Sequence, residues 1–265
     1  MKPFPILNGS AYAQYPILRR WERHLVETVT PGRQRSTWRD AASERYRWLL
    51  TYHGLSTAEK DELEAHFAES GGSLRSFLFL DPAANLLQWS EDLTDEVWIG
   101  AAPLHVTAGA PDPFGGSRGF TIVNAGQDEM QFRQVLALEC APALCYSAWV
   151  RSVSPASCTL SIRCDMDESS NFTAVQEIWE RKWVLLTPES PLSMVSFELG
   201  LPAGASLEVF GLQAEAQSSP SPYKATTSRG GVHSNARYDQ DNIEFTAIGP
   251  DNYSTSVQIV SSLTE

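Results

Sequence analysis

Hydrophobic and polar positions alternate over 46–52. Tyr46, Trp48, Leu50 and Tyr52 fall on one side, and Arg45, Arg47, Leu49 and Thr51 on the other. A period of two with aromatic residues predicts a half-buried strand, which Gly54 ends. Ser56 stands three residues before Glu59, the spacing of a capping box. There the hydroxyl takes a free helix amide and the carboxylate reaches back to the cap, so a helix is predicted to about Glu69. Leu63 and Phe67, four apart, predict its buried side, with Ala58 and Ala65 as small neighbours. Lys60, Asp61, Glu62 and Glu64 are expected to face water. Gly71-Gly72 ends the helix, because glycine takes the left-handed conformation after a helix at little cost. Phe77–Leu80 reads as a short apolar strand stopped by Asp81-Pro82. Upstream, 22–30 reads as a strand, Pro31-Gly32 as a turn and Asp40–Ser43 as a loop.

After Pro82 the helix signals vanish. Strand-like runs follow at regular intervals between Gly, Pro, Ser and Asp turns: Leu104–Ala108, Gly119–Val123, Met130–Val135, Cys145–Val150, Cys158–Cys164, Lys182–Thr187, Met194–Leu199 and Leu207–Leu212. That spacing predicts an antiparallel β-sandwich, most simply a jelly roll. Ser218–Pro222 reads as a linker and Ser228–Gly231 as a flexible joint. The last 30 residues read as a hairpin: Ile243, Phe245 and Ala247 alternate inward, 249–252 turns, and Val257 and Ile259 return. An isolated hairpin is marginal in water, so it is expected to dock on the N-terminal region. The predicted fold is mainly β: a small α+β domain (a sheet or barrel with one helix) formed by 1–82 and 235–265, with an antiparallel β-sandwich, 83–234, inserted in it.

At 265 residues the chain can bury one large core or two modest ones. A net charge of −12 argues against nucleic-acid affinity, which needs basic residues to displace counterions from phosphates. No apolar run approaches the roughly 20 residues that span a bilayer. The N-terminus lacks the apolar core of a secretory signal, so a cytoplasmic origin is expected. Charge is uneven: 1–82 is net +1, 83–234 net −9 and 235–265 net −4. Arginines cluster at Arg19, Arg20 and Arg23, at Arg33, Arg35 and Arg39, and at Arg45 and Arg47. Two readings stand: solvated strand faces, or an interface meeting an acidic partner.

Catalytic motifs are missing: no G-x-S-x-G, G-x-x-x-x-G-K-[ST] or H-E-x-x-H is present. The glycine-rich 115–119 lies between strands and reads as a hairpin loop, since phosphate cradling needs a helix behind it. His24, His53, His66, His105 and His233 are scattered. Cys140, Cys145, Cys158 and Cys164 have spacings of C-x4-C and C-x5-C rather than tight zinc pairs. Buried reduced thiols are the leading reading, with disulfides or a metal as alternatives. Asp165, Asp167 and Glu168 offer hard oxygens but lack a calcium-loop frame, so a solvated hairpin tip is expected. No catalytic, cofactor or metal site is expected, and no enzyme. Of the tryptophans, Trp89 and Trp149 sit in apolar surroundings and read as core. Trp179 and Trp183 flank a polar stretch; they serve as core or subunit contact, or as a glycan platform, because sugar C–H faces stack on aromatic rings.

The 46–82 stretch, with its aromatic strand, its Leu55-Ser56-Thr57 helix start, glycine stop and SFLFLDP strand, resembles phage and gene-transfer-agent tail-tip proteins of the distal-tail type. Asn85–Leu93, with Trp98 beyond, resembles the opening of the galactose-binding-like jelly rolls of phage tail proteins. Leu212–Glu215 followed by Pro222–Thr226 is similar to their closing phrase, with a different third residue and spacer. The resemblance implies a virion structural protein at the tail tip, assembled in the host cytoplasm. Such proteins form a ring, usually a hexamer, between the tail tube and the baseplate hub, with the sandwich projecting outward. The alternative is a module that recognises host surface glycan. No ligand residue carries over, and no membrane insertion is implied.

Overall fold

The computed structural model describes residues 2–7, 13–139, 142–154, 156–164, 167–188 and 193–263. Cys140, Asp165 and Met166 lie outside them. The elements, in chain order, are β1 (Leu18–Val29), β2 (Arg35–Leu55), α1 (Thr57–Ser70), β3 (Phe77–Leu80), β4 (Ile99–Gly100) and β5 (Leu104–Ala110). Next come β6 (Gly119–Asn124), β7 (Met130–Ala137), β8 (Leu144–Arg151), β9 (Ala156–Arg163), β10 (Glu168–Val175) and β11 (Glu180–Leu186). The chain ends with β12 (Met194–Leu201), β13 (Ser206–Glu215), β14 (Val232–Tyr238), β15 (Thr246–Gly249) and β16 (Asn252–Ser262). The protein is mainly β, with one helix among the described residues. It divides into two compact units: Ala13–Phe79 with His233–Glu265 and the N-terminal residues, and Leu80–Val232.

The first unit is a six-stranded sheet in the order β1-β2-β16-β14-β3, with β15 paired to β16. Trp48, Leu50, Tyr52 and Leu55 point to one side of β2 and are buried with Val257 and Ile259 of β16. Phe4, Phe77, Phe79 and Tyr238 complete an aromatic core whose ring centroids lie 5.0–6.3 Å apart. The helix begins as the capping box requires: the Glu59 N–H donates to Ser56 Oγ at 3.3 Å and the Ser56 N–H to Glu59 Oε2 at 2.9 Å. It ends on Gly71 in the left-handed region, φ 64°. Its buried stripe is Leu63, His66 and Ser70. Phe67 is half-buried and Ala58 and Ala65 are exposed, so the inward face is turned from the expected one. The cause is His66, whose Nδ1 lies 2.8 Å from the Tyr238 hydroxyl and draws that side of the helix into the core.

Asp40–Ser43, expected as a loop, lies within β2. Pairing runs from Leu18↔Leu49 to Glu22↔Arg45, then resumes at His24↔Asp40 and continues to Val29↔Arg35. The extra residues on β2 form a bulge, which bends a strand without ending it. The Glu44 carboxylate is buried there and binds Arg39, with Arg23 at 3.9 Å. Beyond the bulge the two strands pair only with each other among the described residues, forming a two-stranded arm. The C-terminal hairpin also departs from expectation: β15 has four residues, Ala247 is exposed, and Ile243 and Phe245 are half-buried. Val257 and Ile259 do face the core, because β16 is an interior strand paired to β2 over Tyr253–Ser262.

The second unit is an antiparallel jelly roll of two five-stranded sheets, β10-β9-β12-β7-β4 and β11-β8-β13-β6-β5. All eight expected runs are strands. Facing side chains fill the interior: Cys158, Leu160, Ile162, Val195, Phe197 and Leu199 from one sheet, and Tyr146, Ala148, Val150, Ile122 and Val209 from the other. Burial pushes the Cys145 and Cys158 thiols up to about 12, and both are free. Cys164 is half-buried and donates to the Asp167 carbonyl at 3.1 Å. The glycine-rich loop is a hairpin turn held by Asp112, which accepts from the N–H groups of Phe114 and Gly116.

Neither expected linker is loose. The Gln213 Oε1 accepts the Lys224 N–H at 2.7 Å, and Glu215 accepts the Ser221 N–H at 3.0 Å and Lys224 Nζ at 2.8 Å. Burial pushes the Glu215 carboxyl up, but the bonds from Lys224, Ser221 and Gln213 outweigh it and hold the group below its usual range. The Gly231 N–H donates to the Asn85 carbonyl at 2.8 Å and the Asp81 N–H to the Gly231 carbonyl at 2.7 Å. At Gly230 a Cβ would run into the Leu86 carbonyl, so glycine serves close approach there rather than flexibility.

Candidate functional site

Alternation sets the outward face of the β10-β9-β12-β7-β4 sheet. Successive side chains on a strand point to opposite faces. With Val195, Phe197 and Leu199 inward, Ser196, Glu198 and Gly200 of β12 point out. Pairing places their neighbours. One row across the strands is Ser170, Ser161, Glu198, Arg133 and Ile99; the next is Phe172, Thr159, Gly200 and Gln131. Small residues, Ser161, Thr159 and Gly200, make the central floor. Phe172 stands 68% exposed on edge strand β10, and Ile99 is exposed on β4 at the opposite edge.

Glu198 is the anomaly of this face, an outward carboxylate only 2% exposed. Its Oε1 accepts from Ser196 Oγ at 2.7 Å and from Arg133 Nη1 at 3.4 Å. Arg163 Nε stands 3.4 Å from Oε2 without the alignment of a hydrogen bond, so Oε2 accepts none among the described residues. Gln131 repeats the pattern. Its Nε2 donates to Glu129 at 2.8 Å, while its buried Oε1 has no donor. The amide lies over Gly200, where a Cβ would stand 2.9 Å from that oxygen. Buried acceptors left without a donor are rare and costly. Both atoms are closed to solvent; what the face offers outside is the Phe172 ring beside the small residues Thr159, Gly200 and Ser161.

Trp179 and Trp183 lie elsewhere. Arg181 and Trp183 point to the outward face of the β11-β8-β13-β6-β5 sheet, and Trp179 stands just before β11. Trp183 is 44% exposed. Trp179 is half-buried, and the Arg151 guanidinium lies 5.0 Å from its ring centre. Arg181 donates to the Ser221 carbonyl and to Ser147 Oγ, and burial lowers its pKa. Trp89 and Trp149 are half-buried; Trp89 carries a positive φ of 48° and its carbonyl accepts from Trp98 Nε1 at 3.0 Å. The residues that sequence reasoning missed are Glu198, Gln131, Arg133, Arg163 and Phe172. The signal available was a lone acid in the apolar run of 194–201, between the small outward residues Ser196 and Gly200.

No protein-family model matches the chain, and no curated protein matches it. Among solved structures it is similar to jelly rolls of carbohydrate-binding proteins and of a phage tailspike. The enzymatically active domain of bacteriophage CBA120 tailspike protein 4 is 12% identical, with a TM-score of 0.42 over 52% of this chain; the chain spans 22% of that one. The CBM22-1 xylan-binding domain from Paenibacillus barcinonensis Xyn10C is 14% identical, with a TM-score of 0.41 over 51% of this chain and 96% of that one. TmCBM61, solved with β-1,4-galactotriose, is 13% identical, with a TM-score of 0.38 over 50% of this chain and 99% of that one. Likeness at this level leaves function to be argued from the chain's own residues.

Among the described residues, no group of three or more His, Cys, Asp or Glu side chains is arranged to hold a metal ion. Among the described residues, no helix is long and apolar enough to cross a membrane.

Proposed function

We propose that the protein is a non-catalytic carbohydrate-binding component of a phage-type tail, and that the jelly roll binds glycan on the outward face of the β10-β9-β12-β7-β4 sheet. The observation that carries the reading is the exposed Phe172 ring on the edge of a floor of small residues, Thr159, Gly200 and Ser161. That ring offers a stacking surface for sugar C–H faces. Trp183 on the other sheet is a second candidate platform; Trp179 is a weaker one, since Arg151 already lies on its ring. Screening the purified protein on a broad glycan array tests the reading. Binding that is lost on Phe172→Ala and kept on Trp183→Ala supports the sheet face. Silence across the array overturns it.

The arm favours a second, compatible role in assembly. Leu25 and Val29 lie exposed on one of its faces and Trp38 on the other, so neither face has a core. A two-stranded ribbon is marginal alone. In this reading the arm packs on another copy in a ring, possessing the order of a hexamer, placed between tube and hub at the virion's tail tip. Light scattering over a concentration series tests it: a closed oligomer that falls to monomer when 24–39 is replaced by a tight turn supports the ring, and a monomer at every concentration counts against it.

A further inference from the structure

The outer edge of the arm carries a pattern of its own. We infer that β1 pairs with β1 of a second copy, antiparallel and two-fold symmetric, with Leu25 at the axis. The inference rests on the reading that the arm meets another copy, and gives that contact its partner strand, its register and its symmetry.

β1 ends its sheet, and among the described residues it pairs only with β2. Its 12 residues, LRRWERHLVETV, include no proline, and the extra residues of the bulge fall on β2. A long open edge is a template for another strand. Pairing two arms makes four adjacent strands, which supplies what an isolated two-stranded ribbon lacks.

The side chains specify which strand that is. Trp21, Arg23, Leu25, Glu27 and Val29 alternate onto one face. The Arg23 guanidinium accordingly lies 3.7 Å from the Trp21 ring centre, and Glu27 pairs at 2.9 Å with Arg35, the residue opposite Val29. Trp21, Leu25 and Val29 are 51%, 62% and 55% exposed. The row reads apolar, basic, apolar, acidic, apolar, so its reversal is its own complement. Antiparallel pairing about Leu25 sets Trp21 against Val29, Arg23 against Glu27 and Leu25 against Leu25, and the two-fold axis makes each unlike pair twice. Apolar and opposite-charge pairs across strands are stabilising. The neighbouring registers fail. Centring on His24 or Val26 sets charged residues against apolar ones, and centring on Arg23 or Glu27 sets like charges together. Because the contact is the same patch on both copies, copies join in pairs, and a six-membered assembly is three pairs.

Light scattering of the full chain over a concentration series tests this, with melting curves to confirm that each variant is folded. The protein is expected to form dimers or multiples of dimers. Arg23→Glu and Glu27→Arg, each alone, are expected to weaken association about tenfold or more, because each creates two like-charge pairs. The two substitutions together rebuild the opposite-charge pairs and are expected to restore association. Under mild oxidation, Leu25→Cys is expected to link two copies through position 25, located by peptide mapping, since facing residues of an antiparallel pair lie within disulfide reach. Trp21→Cys, far from its own counterpart in this register, is expected to stay unlinked. Loss of association that the double substitution does not recover overturns the register. Association unmoved by either charge variant, with no link at position 25, overturns the two-fold pairing and leaves a different contact of the arm in place. A monomer at every concentration overturns both this inference and the assembly reading it rests on.

Discussion

Asn85 and Ala214 are joined as though they sat on paired strands, although Asn85 precedes any strand of the jelly roll. The Ala214 N–H donates to Asn85 Oδ1 at 3.0 Å, and the next residue, Leu86, donates its N–H to the Ala214 carbonyl at 2.7 Å. The same side chain accepts the Leu87 N–H at 3.1 Å and donates through Nδ2 to the Leu212 and Lys224 carbonyls at 3.0 and 3.3 Å. Five residues on, Ser90 Oγ lies 2.9 Å from the Tyr223 hydroxyl and accepts the Thr226 N–H at 2.9 Å. The opening and closing phrases of the unit, far apart in sequence, are stitched together by their polar side chains.

Asn85→Ala removes the partners of four backbone groups in the interior. An orphaned buried group costs about 1–3 kcal/mol, so the jelly roll is expected to lose at least about 3 kcal/mol. Urea unfolding followed by tryptophan fluorescence measures this, and a loss near zero would show that water or a shifted backbone replaces the amide.

Gly230→Ala is expected to destabilise the same unit even though the change is one methyl group. The added Cβ meets the Leu86 carbonyl, which is itself held near Ala214. Gly204→Ala, in open space though at positive φ, provides a contrast that carries backbone strain without a clash. Comparing the two melting temperatures separates the terms; the Gly230 variant should melt lower.

His66 predicts an acid-sensitive first unit. Burial, with Lys2 adding to it, lowers its pKa from 6.5 to about 4. Between those values the unfolded chain binds a proton that the folded chain refuses. Stability is therefore complete above pH 6.5 and falls as pH drops toward 4, by at most about 3 kcal/mol. His66→Phe loses the bond to Tyr238 and so starts lower, but its stability should change less between pH 7 and 5. Equal slopes for the two proteins would remove His66 as the source.

The thiols offer a test without mutation. Cys145 and Cys158 are fully buried and their pKa values are pushed up to about 12, so little thiolate forms at pH 8. Alkylation followed by mass spectrometry should leave both unmodified in the native protein and modify both in denaturant, while half-buried Cys164 reacts earlier. Native labelling of Cys158 would contradict its place between the sheets.

What the sequence disclosed depended on contrast between faces. The eight expected strands of the jelly roll each carry buried positions such as Tyr146, Phe197 and Val209. β10 was not legible, since ESSNFTAV lies on a sheet edge and has only Val175 fully buried. β4 is two residues long and gives no period. The bulge in β2 reads as a loop because its small and acidic residues break alternation, yet Glu44 turns inward to bind arginine. At the candidate site, Glu198 belongs to no motif. That its second oxygen lacks a donor depends on the placement of Arg163 and Arg133 on neighbouring strands, which no local pattern encodes. The polar stretch between Trp179 and Trp183 was legible, but the arginine lying on Trp179 was not.

β2 has a mechanical meaning. Its 21 residues pass without interruption from the arm, through the bulge, into the middle of the sheet, where β16 pairs with it from Arg45 to Leu55. A pull on the arm along its length therefore acts parallel to that ladder and loads its bonds together in shear, while a sideways pull opens the β1–β2 pairs one after another. Load along the arm therefore passes through β2 into the strand that carries Trp48, Leu50 and Tyr52 of the aromatic core, while load across it is met only by the β1–β2 pairs.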